Sequence, residues 1–115
     1  MNFNNFTIKS QEAVQASQQI AESSGHQSIE TAHLLKGMIQ TDETLIPFLL
    51  KKVSADPDKI IAGVNKLIDA LPKVTGGRIY FSDDAGKLFN QAASLAKTLG
   101  DEFISMEHLF LVMIA

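Results

Sequence analysis

Two stretches of the chain repeat one another. Gly25–Ile39 reads GHQSIETAHLLKGMI and Gly100–Ile114 reads GDEFISMEHLFLVMI, 75 positions further on, and the register holds without a gap back to Thr7 over Ser82. Under it Ala21 falls on Ala96, Ile29 on Ile104, His33 on His108, Leu34 on Leu109, Met38 on Met113 and Ile39 on Ile114. A fixed-period match constrains architecture more than any local propensity, because each copy must form the same elements and bury the same face. The expected fold is all-α, a pseudo-twofold duplication of a four-helix unit. Its first repeat covers about residues 1–72, a linker residues 73–80 and the second repeat residues 81–115. A full second copy would reach about residue 147, roughly 32 beyond Ala115, so the second repeat is expected to be truncated.

The helices follow from punctuation and periodicity. Phe3 and Phe6 belong to a lead-in that covers the first helix. Thr7 suits an N-cap, its hydroxyl accepting an orphan N–H of the first turn. Ala13, Ser17, Ile20, Ala21 and Ser24 then share one face, with small residues that allow close helix approach. Gly25 ends this helix, because glycine turns left-handed without a Cβ penalty. A second helix starts near Glu30 or Thr31 with Leu34, Leu35, Met38 and Ile39 at core spacing, and Thr41-Asp42 breaks it. Leu45 to Val53 reads as a short apolar helix with Pro47 in its first turn. Asp56, Pro57 and Asp58 signal the start of a fourth, whose Ile60, Ile61, Val64, Leu67, Ile68 and Leu71 predict an amphipathic core helix. Pro72 stops it, and Gly76-Gly77 centres the linker. Ser82-Asp83-Asp84 caps a fifth helix with Leu88, Phe89, Ala92, Leu95, Ala96 and Leu99 at core positions; Gly100 closes it, and Ser105 caps the sixth.

Composition then excludes function classes. Net charge is −3 with ten Lys+Arg, so there is no basic field for nucleic acid. Without cysteine there are no disulfides, thiolate metal sites or Cys nucleophile. No apolar run approaches the roughly 18 residues of a membrane span and no basic-then-apolar signal opens the chain, so a cytoplasmic location is the default expectation. No GxxxxGKS/T occurs, and Gly76-Gly77 has neither its spacing nor its lysine.

The repeated pattern, a glycine followed by a small polar residue and xHL with apolar followers, resembles the Clp amino-terminal (Clp repeat) domain. That domain precedes the AAA+ ATPase modules of the Clp unfoldases and disaggregases. Phe6-Thr7, the LPKVTGG of Leu71–Gly77 and the GDEFISMEHL of Gly100–Leu109 are most similar to the ClpB disaggregase branch. In the ClpC branch both repeats carry a glutamate before the histidine and use it for phosphoarginine; here the second has Glu107 but the first has Ala32. The resemblance implies a mobile substrate-handling module, itself without catalytic residues, metal or cofactor. Its partners would be unfolded or aggregated polypeptides, with a co-chaperone or adaptor possible in addition. The parent would be a homo-hexamer using ATP and magnesium. Thr7, Asp101 and Glu107 correspond to the polar positions beside the family's apolar groove, and Phe89 with nearby apolar residues is assigned to the groove itself. The alternative within the family is an adaptor-docking domain of the ClpA or ClpC type.

Each of these residues also has a structural reading. Thr7 serves as a cap whether or not it meets a client. Asp101 follows a helix-ending glycine and Glu107 sits in a helix first turn, where a carboxylate is favoured in any case. Phe89 stands at core spacing. His33 and His108 would be a catalytic or metal pair in a small enzyme, but the helix dipole disfavours a charged imidazole there, and the expectation is neutral, hydrogen-bonded packing residues. His26 is expected to be a solvated loop residue.

Overall fold

A computed structural model describes residues 2–74 and 76–115; Met1 of the lead-in and Thr75 of the linker lie outside the described residues. The element order is α1 (Ile8–Ser23), β1 (Ser28–Ile29), α2 (Thr31–Thr41), α3 (Leu45–Lys52), α4 (Pro57–Asp69), β2 (Tyr80–Phe81), α5 (Asp83–Thr98) and α6 (Met106–Ile114). The fold is all-α apart from two short parallel pairings. β1 pairs with β2, Ser28 beside Tyr80 and Ile29 beside Phe81, and Phe6 forms an isolated bridge with Ile104.

Positions related by the 75-residue offset have the same local geometry. Thr7 caps α1 by accepting from Ser10 N–H, and Ser82 caps α5 by accepting from Ala85 N–H. Both helices end in a Schellman turn. Gly25 at φ 74° and Gly100 at φ 76° take the left-handed position, while His26 N–H and Asp101 N–H return to the carbonyls of Ala21 and Ala96, each at 2.8 Å. The pairings are reciprocal: Thr7 N–H donates to Ile104 O at 2.9 Å and Ser82 N–H to Ile29 O at 3.0 Å. The leading segment of each stretch therefore lies against the loop before the second helix of the other.

The tightest packing is α1 on α2. Ser10, Ala13, Ser17 and Ala21 are fully buried, and Gly37 of α2 lies so close that an added Cβ would sit 2.6 Å from Ala13 O. The small residues of α1 thus make half of a close crossing whose other half is Gly37. The α1 face is narrower than expected, because Ile20 and Ser24 are only partly covered. Phe3 and Phe6 reach beyond the first helix to α5. They stack edge-on against Phe89 of α5, with ring centroids at 5.2 and 5.7 Å, and Phe81 joins the same cluster at 5.3 Å from Phe89.

The third and fourth helices are more peripheral. Asp42 starts α3, its carboxylate accepting from the amides of Thr44 and Leu45 and from the Thr44 hydroxyl. Those bonds, led by the one from Leu45, hold its pKa below the ordinary carboxylate value. Asp56 caps α4, with Pro57 at its first position. The prediction of a core helix holds for Val64 and Ile68, which are buried, but Leu67 is 63% exposed. Leu99, placed at core spacing from the sequence, is 57% exposed because it is the C-cap of α5, where the helix turns away from the core.

Two glycine substitutions separate crossing from propensity. Gly63→Ala, with nothing within 4 Å of the new methyl group, should stabilise the chain by about 0.5–1 kcal/mol. Gly37→Ala gains the same propensity but must push α1 backbone aside, and a net loss of about 1–3 kcal/mol is expected. Urea denaturation of both variants checks the pair.

Candidate functional site

The loop between α5 and α6 gathers three of the four residues singled out from the sequence. The Schellman turn after α5 places Asp101 so that its Oδ2 accepts from Nε2–H of His108, in the first turn of α6, at 2.8 Å. His108 Nδ1 accepts from Ser105 N–H at 2.8 Å and closes a capping box at the start of α6. Glu107 precedes His108 in that turn and is exposed, near the positive end of the helix dipole. Thr7 reaches the same loop through its amide bond to Ile104 O, and Ser10 Oγ donates to that carbonyl at 2.8 Å. The Thr7 hydroxyl is occupied as the α1 cap and by Ser10 Oγ at 2.8 Å.

Phe89 does not join them. It is 3% exposed, at the centre of the Phe3, Phe6, Phe81 and Phe89 cluster, so its assignment to a surface groove is corrected to the core. A large aromatic at helical core spacing buries more apolar area inside than at a rim, and here two leading segments supply ring edges to meet it.

The apolar residues beside the acidic ones are different and were missed. Leu99, Phe103 and Leu111 are 57%, 49% and 45% exposed. Leu99 and Phe103 bracket Asp101 in the loop, and Leu111 lies one turn beyond Glu107 on α6. A signal for Leu111 was present: all residues of MEHLFLVMI except Glu107 and His108 are apolar, and a helix apolar on every side cannot bury every side against one neighbour. A separate apolar groove of about 320 Å³ runs between α2, α4, α5 and α6, lined by Ala32, Leu35, Val64, Leu67, Leu88 and Val112. None of the sequence-assigned residues lines it.

His33 and His108 are buried, as expected for packing residues, and each accepts the backbone N–H at the start of its helix, from Glu30 and Ser105 respectively. His26 is a correction. It is 4% exposed, and its Nδ1 lies 2.9 Å from Nε2 of His33. The Schellman turn after α1 aims it inward, just as the turn after α5 aims Asp101. Among the described residues no group of three or more His, Asp or Glu side chains is arranged to hold a metal ion, and no helix is long and apolar enough to cross a membrane.

Comparison with known proteins agrees with this geometry. The family model described as the Clp repeat (R) N-terminal domain matches residues 5–115. The chaperone protein ClpB of Bacteroides thetaiotaomicron is 42% identical over 114 residues, which is 99% of this chain and 13% of that protein. The Hsp104 N-terminal domain of Candida albicans superposes with a TM-score of 0.85 at 18% identity, covering 95% of this chain and 73% of that one. The N-terminal domain of the ClpV1 ATPase of Escherichia coli superposes at 0.87 with 20% identity, covering 96% and 68%. At these identities the two structures show a shared fold. The chain spans about an eighth of the length of the ClpB relative it matches.

Two substitutions should separate the acidic residues by their structural cost. Glu107→Ala, which removes an exposed carboxylate that makes no hydrogen bond among the described residues, is expected to cost no more than about 0.5 kcal/mol. Asp101→Ala removes the acceptor of a buried imidazole N–H and should cost about 1 kcal/mol or more. Thermal melting of both variants at pH 7 reads the difference.

Proposed function

The chain belongs to the Clp repeat N-terminal domain family, in its ClpB type, and on that premise we propose that it captures exposed apolar segments of unfolded or aggregated proteins through the surface around the α5–α6 loop. The region matched is a non-catalytic domain of ClpB-type chaperones, and the ATPase modules lie outside this chain. One observation carries the reading. Asp101 and Glu107 stand among exposed Leu99, Phe103 and Leu111, on a loop held from the far side by Thr7 and Ser10. Acidic side chains interleaved with solvated apolar ones suit an extended segment carrying both apolar and basic residues. Among the described residues no deep pocket opens at this surface to fix one side-chain shape, and a surface of this kind binds weakly and tolerates many sequences.

Weak capture fits a delivery role, since a client held tightly would not be passed on. In the longer protein the client would move to a pore driven by ATP and magnesium in a cytoplasmic homo-hexamer. Thr7 would act mainly by holding the loop, because its hydroxyl is already engaged.

Fluorescence anisotropy with a labelled, permanently unfolded polypeptide tests the proposal. The chain should bind in the micromolar range or weaker while a folded control does not. Phe103→Ser and Glu107→Lys should each weaken binding at least fivefold with unchanged melting temperature. Unaltered binding by both variants would move the site elsewhere. Absence of binding by the unsubstituted chain, together with one tight, saturable partner in a pull-down, would favour adaptor docking.

A further inference from the structure

The two turns that precede α2 and α6 share one plan and differ in the partners they give the buried histidine. Each begins with a Schellman glycine, each aims the next side chain at a buried histidine, and each histidine uses Nδ1 to accept the amide at the start of its helix. The next side chain is His26 in the first turn and Asp101 in the second. That difference decides what a proton does.

His33 Nδ1 accepts from Glu30 N–H at 2.8 Å, so the neutral ring carries its proton on Nε2 and donates it to His26 Nδ1 at 2.9 Å. Both hydrogen bonds exist only while both rings are neutral. A proton on His26 Nδ1 sets two donors against each other; a proton on His33 Nδ1 expels the Glu30 amide. In the second turn His108 Nε2–H donates to a carboxylate, and Ser105 Oγ, 2.9 Å from Nδ1, can accept a second ring proton.

We infer that the α1–α2 turn is an acid-released latch: protonation of the His26–His33 pair frees residues 25–30 from α2 and from the segment leading into α5, while the Asp101–His108 turn stays closed. The segment is attached through this turn, since Val74 N–H donates to Gly25 O at 2.9 Å, Tyr80 N–H to Gln27 O at 3.0 Å and Ser82 N–H to Ile29 O at 3.0 Å. The charged and titratable groups around the pair come from each neighbouring element. Glu22 of α1 and Tyr80 of β2 line hollows that include His26, the Lys73 stem lies against Gly25, and Glu30 and Lys36 belong to the start and middle of α2. Neither carboxylate hydrogen-bonds to either ring, and that of Glu30 accepts from Ser28 Oγ at 2.8 Å.

Burial holds His33 below the ordinary imidazole value; His26 and then Lys36 add to the depression, and Glu30 opposes it. The open turn therefore binds more protons than the closed one. Closure is fully favoured above the ordinary value and is lost progressively as pH falls below it. From an ordinary value of about 6.5, one ring that must stay neutral shifts the opening equilibrium about tenfold between pH 7.5 and 5.5.

Amide hydrogen exchange, expressed as protection factors at those two pH values, tests the latch inside one molecule. Protection of the Ser82 amide, which donates to Ile29 O, should fall about tenfold relative to that of its counterpart Thr7, which donates to Ile104 O. Global unfolding would lower both together. His26→Asp, which installs the second turn's partner and favours a charged His33, should remove the difference, whereas His26→Gln, a neutral acceptor that leaves His33 buried with its Nδ1 still engaged by Glu30 N–H, should keep it. An unchanged ratio in the original chain, or a tenfold fall persisting in His26→Asp, overturns the inference.

Discussion

The amide and carbonyl of Ile104 join the beginning of the chain to its end, and much of the remaining structure depends on that junction. Ile104 N–H donates to Asn5 O at 2.8 Å and its carbonyl accepts from Thr7 N–H and Ser10 Oγ. Buried backbone polar groups must be paired, and here the partners lie almost the whole chain length apart. The pairing fixes where α1 begins relative to α6 and brings Phe3 and Phe6 over Phe89. The corresponding bond from Ser82 to Ile29 does the same for α5 and α2. Neither half of this exchange could be completed by a single stretch alone, which gives a repeated sequence a physical reason to fold back on itself.

Buried histidine serves as a backbone acceptor in both turns. The Ser105 hydroxyl at the N-cap accepts the His108 amide in the first turn of α6, and the His108 ring accepts the amide of Ser105. The imidazole has one further nitrogen to satisfy, and the Schellman turn supplies a partner at a fixed place. Histidine there needs no metal and no substrate to account for it. The local chemistry explains the recurrence of His33 and His108 at equivalent positions, a recurrence that first suggests catalysis.

Most of the helical architecture was legible in the residues. Thr7, Asp56, Ser82 and Ser105 are caps, Gly25 and Gly100 are helix stops, and each does in space what its chemistry predicts. The proposed recognition surface was legible only in part. Asp101 and Glu107 could be located by motif, but Phe89 and Leu99 share one periodic pattern, and the pattern does not distinguish a ring met by other rings from a side chain at a helix end. His26 was misread for a related reason: a polar residue after a glycine is ordinarily solvated, and only the turn's geometry directs it inward.

The sequence by itself determined the elements, their order and their correspondence under a 75-residue register, because caps, glycine stops and hydrophobic period act over a few residues. It also determined, by what is missing, that this chain carries no P-loop and no cysteine chemistry. Tertiary structure alone decided which apolar residues stay in water. It placed Phe89 among Phe3, Phe6 and Phe81 and left Phe103 exposed beside Asp101, and it brought His26 to His33. Burial is a property of neighbours, and these neighbours are set by close helix crossings and by hydrogen bonds between distant segments, which no local pattern of residue types records.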